Sequence, residues 1–148
     1  EMVSRAPPWD STKAGILADL LQLERNYVTT GLHLGLYRHG PLLFNVNDFP
    51  AGVSLKTQGE WEESVVRLLV SVVRPGDIIC DIGAHLGSFT VPLARAAGES
   101  GRVIAFEPQR DLFQALNANL ALNGLFNVDA MNAAVSDLEG SRSIPVRD

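Results

Sequence analysis

An α/β fold built on a parallel sheet is predicted by three observations along residues 77–135. Short apolar runs rich in β-branched residues alternate with amphipathic stretches, in the order strand, helix, strand, helix, strand. Glycine-rich turns separate them, and an acidic residue closes the second strand. Two consecutive βαβ units with right-handed crossovers put such strands side by side in the spatial order 3-2-1.

Each element has its own signal. Pro7-Pro8 blocks regular structure in the first ten residues. Asp10 or Ser11 then caps a helix to about Tyr27, with Ile16, Leu17, Leu20, Leu21 and Leu23 largely on one face. Gly31, Gly35 and Gly40-Pro41 punctuate a turn-rich stretch. Leu42–Val46 and Val53–Leu55 read as the strands of a hairpin around the turn residues 47–52. A helix follows from about Glu60 to Val73, with Trp61, Val65, Leu68, Leu69 and Val72 as its apolar face, until Pro75-Gly76 stops it.

Ile78-Ile79-Cys80 reads as a strand buried on both faces, with Cys80 a small inert thiol inside it. After the turn Gly83-Ala84-His85-Leu86-Gly87, a helix is predicted over Ser88–Ala97. Val103–Phe106 is the second strand, closed by Glu107-Pro108. A helix over Asp111–Asn123 buries Leu112, Ala115, Leu116, Leu120 and Leu122. Asn117, Asn119 and Asn123 read as its polar, exposed side, with Asn119 and Asn123 placed to brace the adjoining loop. A third strand runs from Val128 to about Val135, and a further one is expected over Arg142–Val146.

Composition bounds the function. The 148 residues, 46% hydrophobic and 20% charged, suffice for one domain with a core that needs no staples. Twelve basic against 17 acidic residues give a net charge of -5, which weighs against a dedicated nucleic-acid binder. One cysteine excludes a disulfide framework and a multi-cysteine zinc site, and the three histidines have no ligand spacing, so no metal is expected. A reducing, cytoplasmic setting is the simplest. No apolar run approaches the roughly 18 residues of a membrane span, and no signal peptide is visible, although Glu1 before Met2 suggests a start other than the natural one.

The chemistry rests on Asp81-Ile82-Gly83-Ala84-His85-Leu86-Gly87, a D-x-G-x-x-x-G string where a strand hands over to a helix. Ligands of open α/β sheets bind at this end of the strands. The first helix turn is expected to offer its unpaired N–H groups. There is no Walker Lys-Ser/Thr, and Gly83 and Gly87 are wrongly spaced for a G-x-G-x-x-G dinucleotide loop. Glu107 stands 20 residues beyond Gly87, where an acid can accept from a ribose diol. The Asp81 carboxylate disfavours a pyrophosphate and suits a ligand with positive groups, such as S-adenosylmethionine.

With these strings the chain resembles the FkbM family of S-adenosylmethionine-dependent methyltransferases, a Rossmann-like class I branch. The matching segments are Gly59-Glu60-Trp61-Glu62, Arg74-Pro75-Gly76-Asp77, the D-x-G-x-x-x-G loop, Phe106-Glu107-Pro108, Asn119-Leu120-Ala121-Leu122-Asn123 and Ala133-Ala134-Val135-Ser136-Asp137. The resemblance implies that Asp81, Gly83, Ala84 and Gly87 line the methionine end of the cofactor, with His85 bracing that loop. It implies that Glu107 holds the ribose hydroxyls and Pro108 shapes the loop beside the adenine. Asn132, Ala133 and Ala134 would approach the adenine edge with help from Asp137, and Glu60 would reach the methionine moiety. The implied reaction moves the cofactor methyl onto a hydroxyl of a sugar, glycan, lipid or natural product.

Further expectations follow. Residues 1–41 are read as an arm and helix, and 42–148 as the front portion of a methyltransferase domain that stops before the fourth strand. The isolated chain is then expected to methylate weakly or not at all, and its catalytic base cannot be named. Partners expected are a small-molecule or glycan hydroxyl acceptor and no nucleic acid. A bare sheet edge suits self-association. The competing readings are a non-catalytic cofactor-binding fragment and an NAD-dependent oxidoreductase.

Overall fold

The computed structural model describes residues 31–137 and Gly140. The expected helix over residues 11–27 and the strand over 142–146 lie outside the described residues. The chain order is β1 (Leu32–Tyr37), β2 (Gly40–Asn45), α1 (Ala51–Gln58), α2 (Glu63–Val72), β3 (Ile78–Ile82), α3 (Thr90–Ala97), β4 (Arg102–Phe106), α4 (Arg110–Leu122) and β5 (Val128–Met131). Strands β3, β4 and β5 form a parallel sheet in that spatial order, with Cys80 opposite Ile104 and Ile104 opposite Asp129. This is the Rossmann-like α/β arrangement that the alternation of runs predicts.

Helices α3 and α4 cover one face of the sheet. Ile79, Val103, Ala105, Val128 and Ala130 point into that layer and pack against Leu93, Ala94, Leu116 and Leu120. The opposite residues of β3 do not. Ile78, Cys80 and Ile82 are exposed, so the expectation of a strand buried on both faces, with Cys80 hidden, is corrected. The apolar run gives no sign of which face is covered, and both crossover helices pack on the same one.

The hairpin lies earlier than expected. Strands β1 and β2 pair antiparallel through a two-residue turn at Arg38-His39, with Tyr37 opposite Gly40, and the hairpin spans both sides of residue 41. Residues 51–58 are helical rather than a second strand. Pro50 precedes that helix and Gly59, left-handed at φ 69°, ends it, which is the usual polarity of these two residues. The hairpin directs Leu42 and Phe44 inward, where they join Tyr37, Leu55, Leu86 and Val91 in one buried cluster.

Helix α2 also turns differently. Leu69, Val70 and Val73 pack against the α3 layer and Val66 is buried, whereas Val65, Leu68 and Val72 are exposed. Spacing of i, i+3, i+4 and i+7 fits this face as well as the expected one, and the packing decides between them. Asn119 is wholly buried, not part of an exposed polar face. The strand after α4 ends at Met131, four residues before the expected Val135.

Candidate cofactor site

The end of β3 turns sharply into the 83–87 loop, and β4 holds that loop from the side. Phe106 O accepts hydrogen bonds from the N–H groups of Gly83 and Ala84, both at 2.9 Å. The His85 N–H donates to Glu107 Oε2 at 2.9 Å. Three successive loop N–H groups therefore point into the protein rather than toward a ligand. This corrects the expectation of a donor-rich cradle for those three groups, and it leaves the loop poorly suited to a pyrophosphate, which needs such donors.

Glu107 is only 3% exposed. Its second oxygen, Oε1, accepts the Gln109 N–H at 2.8 Å. The carboxylate thus fixes both the 83–87 loop and the entry to α4, and each oxygen retains a lone pair for a further donor. Asp81 sits nearby, with Oδ2 accepting from the Thr90 hydroxyl at 2.6 Å. Burial holds the Asp81 carboxyl above its ordinary range; the Thr90 hydroxyl opposes this and the Glu107 charge adds to it.

Two glycines shape the loop in different ways. Gly83 has φ +83°, and a Cβ built there meets nothing within 4 Å. Gly87 has φ +95°, and its Cβ would lie 2.8 Å from Leu116 Cδ1. Gly83 therefore leaves open space for an approaching molecule, and Gly87 allows the loop to pack on α4. His85 is a non-glycine residue at φ 56°, in the left-handed region.

The sequence reading missed Asp48, on the segment between β2 and α1. Its Oδ2 lies 2.8 Å from His85 Nε2. Both residues line a cavity of about 290 Å³ together with Phe49, Trp61, Gly83 and Phe89. Local sequence could not reveal this contact, because Asp48 and His85 are brought together only by packing of the hairpin unit against the loop.

The remaining candidate residues divide. Asn132 Nδ2 donates to Glu107 O at 2.9 Å and to Pro108 O at 3.0 Å, joining the ends of β4 and β5. Ala133, Ala134 and Asp137 follow β5 and are exposed. Ala84 is buried beneath the loop. Glu60 is engaged by Arg38, whose Nε donates to its Oε2 at 2.8 Å, while its neighbour Trp61 lines the cavity. No cluster of three or more metal-ligating side chains occurs among the described residues. None of their helices is long and apolar enough to cross a membrane.

The donor chemistry fits a cofactor with positive groups. Asp48 lines the cavity beside a loop whose first N–H groups are turned away, Glu107 accepts the loop's His85 N–H, Asp81 opens the loop, and Gly83 leaves its outer side open.

A curated relative, the 23S rRNA (uracil(1939)-C(5))-methyltransferase RlmD of Acinetobacter baylyi, is 37% identical over 57 residues. The match takes in 38% of this chain and 12% of that protein. Among solved structures, Trm5b from Pyrococcus abyssi superposes with a TM-score of 0.58 at 17% identity, over 74% of this chain and 30% of that one. P. horikoshii TYW2 in complex with MeSAdo gives 0.57 at 23% identity, over 74% and 39%. M. jannaschii TYW2 in complex with AdoMet gives 0.56 at 20%, over 70% and 43%. At these identities the structures establish a shared fold.

The exclusion of nucleic acid as a partner is corrected here. The curated relative is named for methylating ribosomal RNA, and a further solved structure of the same fold, aTrm5, is a complex with tRNALeu. Net charge sums groups wherever they lie, whereas nucleic-acid binding depends on a local surface, so a balance of -5 does not decide the matter. Residues 81–147 match the model of the methyltransferase FkbM domain, just under half of the chain.

Proposed function

We infer that the chain binds S-adenosylmethionine at the 83–87 loop and serves methyl transfer. The observation that carries this reading is the loop itself. Its Gly83, Ala84 and His85 N–H groups are consumed internally, its outer side is open at Gly83, and the carboxylates of Asp48 and Glu107 both contact its His85. Such a site favours a ligand whose polar end is cationic over one that is a phosphate.

In this reading Asp81, Gly83, Ala84 and Gly87 border the methionine end, and His85 holds the loop in shape. Glu107, fixed by two backbone N–H groups, accepts from the ribose hydroxyls. Pro108, Asn132, Ala133 and Ala134, with Asp137, border the base, and Asn132 sets the spacing between the β4 and β5 ends. Glu60 reaches the methionine end only by exchanging its Arg38 partner. When bound, the cofactor supplies a methyl group already activated by its sulfonium. The protein contributes orientation and a buried, pre-arranged set of acceptors.

The acceptor proposed from the family resemblance is a hydroxyl on a sugar, glycan, lipid or natural product. RNA is a second reading, favoured by the rRNA-methylating relative at 37% identity. Because the chain spans a small part of that relative, neither acceptor follows from it.

Isothermal titration with S-adenosylhomocysteine and, separately, NADH tests the cofactor. Binding of the first and not the second is expected. Tight NADH binding with no affinity for S-adenosylhomocysteine would leave the oxidoreductase reading standing instead. Transfer of labelled methyl to RNA or to glycan and lipid fractions then separates the acceptor readings.

A further inference from the structure

We propose that Asp48, from the segment between the hairpin and α1, is part of the cofactor site and receives the α-ammonium of the cofactor's amino-acid end. This deepens the reading above and rests on it. The cavity beside the loop is lined by Asp48, Phe49, Trp61, Gly83, His85 and Phe89. Pro50, Ala51, Ala84 and Ser88 complete the lining, whose two ionisable side chains are the Asp48 carboxylate and the His85 imidazole.

The geometry sets the position of that carboxylate. Asp48 Oδ2 lies 2.8 Å from His85 Nε2. The same His85 donates its backbone N–H to Glu107 Oε2 at 2.9 Å. A single residue of the loop therefore links the carboxylate at the cavity wall to the carboxylate at the end of β4. Asp48 is largely buried, with its side chain 11% exposed, so its charge acts in a poorly screened setting.

The chemistry selects the ligand group. Of the two ends of the amino acid, its carboxylate would face Asp48 with like charge, and its ammonium with opposite charge. The loop cannot reverse this preference, because the N–H groups of Gly83, Ala84 and His85 are committed to Phe106 and Glu107. Gly83 supplies the room for this end to enter, since nothing lies within 4 Å of a Cβ placed there. In the sequence Asp48 is simply one of several turn residues, and no motif marks it.

The test uses two ligands that share a nucleoside and a thioether. S-adenosylhomocysteine carries the amino-acid end, and 5′-methylthioadenosine lacks it. Calorimetric titration is made on the unaltered 148-residue chain, on Asp48→Asn and on Asp48→Glu, with melting curves to establish folding. The unaltered chain should bind S-adenosylhomocysteine about tenfold or more tightly than methylthioadenosine. Asp48→Asn should lose about tenfold or more for S-adenosylhomocysteine and stay within about twofold for methylthioadenosine. Asp48→Glu should recover part of the loss.

Equal losses for both ligands would show that Asp48 only supports the loop, and would overturn the proposal. So would an unaltered chain that binds the two ligands equally, a result that needs no variant to fold. An unaltered chain that binds neither ligand would overturn the cofactor reading and this proposal together.

Discussion

Asn119 on α4 completes the hydrogen bonding of Leu43 on β2 as a neighbouring strand would. Its Oδ1 accepts the Leu43 N–H at 2.6 Å, and its Nδ2 donates to Leu43 O at 2.9 Å. The same Nδ2 donates to Leu86 O at 2.8 Å, inside the cofactor loop. One amide thus joins hairpin, helix and loop, and no other side chain of its size offers a donor and an acceptor in this geometry.

Asn119→Ala should therefore cost about 3 kcal/mol, because it strands one buried N–H and two carbonyls as well as opening a small void. Urea denaturation measures this. A loss under about 1 kcal/mol would mean that water replaces the amide without difficulty.

The parallel sheet and its loop were legible because their signals are local. Apolar runs mark β3 and β4, and Gly83, Gly87 and Glu107 stand at the ends of those strands. Asn119 was not legible in the same way, since an asparagine on a helix reads as polar surface until a strand is packed against it. The hairpin was missed because its turn, Arg38-His39, lacks the Asn-Gly or Asp-Gly pair that usually marks one. In addition, Leu34 and Leu36 face outward, so the alternation of β1 runs against hydrophobic expectation. Asp48 depends wholly on tertiary contact with His85, 37 residues away.

Alanine at the two loop glycines should separate stability from binding. Gly87→Ala combines a positive φ with a contact of 2.8 Å to the buried Leu116, and about 3 kcal/mol of destabilisation is expected. Gly83→Ala meets no neighbour and should cost about 1–2 kcal/mol through its φ alone. It should nevertheless abolish detectable S-adenosylhomocysteine binding, because its methyl group enters the space left for the ligand. Thermal melts and calorimetry on both variants decide. Unaltered binding by a folded Gly83→Ala protein would remove that position from the site.

Glu107→Gln retains shape and removes charge. The carboxylate accepts from the N–H groups of His85 and Gln109, one on each oxygen. A glutamine has a single oxygen, so its amide nitrogen must face one of those donors. About 1–3 kcal/mol of stability should be lost. The cause should be visible as faster amide exchange at His85 or Gln109 in NMR spectra. If both amides keep their protection, the carboxylate is not what fixes the loop.

Asp81 should show the opposite relation of stability to binding. Burial raises its carboxyl above the ordinary aspartate value, against the Thr90 hydroxyl bond and with the Glu107 charge. Between the ordinary and the raised value the folded chain holds more protons than the unfolded one, so this group's contribution to stability falls as pH rises through that window. Above it, the folded state carries the whole cost of a buried charge. Asp81→Asn keeps an oxygen for the Thr90 hydroxyl and removes the charge. The variant should therefore be more stable than the unaltered chain at about pH 7, with the difference shrinking toward about pH 4 as the native carboxyl takes up its proton. S-adenosylhomocysteine affinity should fall, because the site loses one of the charges that select a cationic end. Urea denaturation at both pH values, beside calorimetry, tests the pair of effects. A variant less stable at about pH 7 than at about pH 4, relative to the unaltered chain, would mean that the ionised Asp81 is a net structural support rather than a strained group kept for binding.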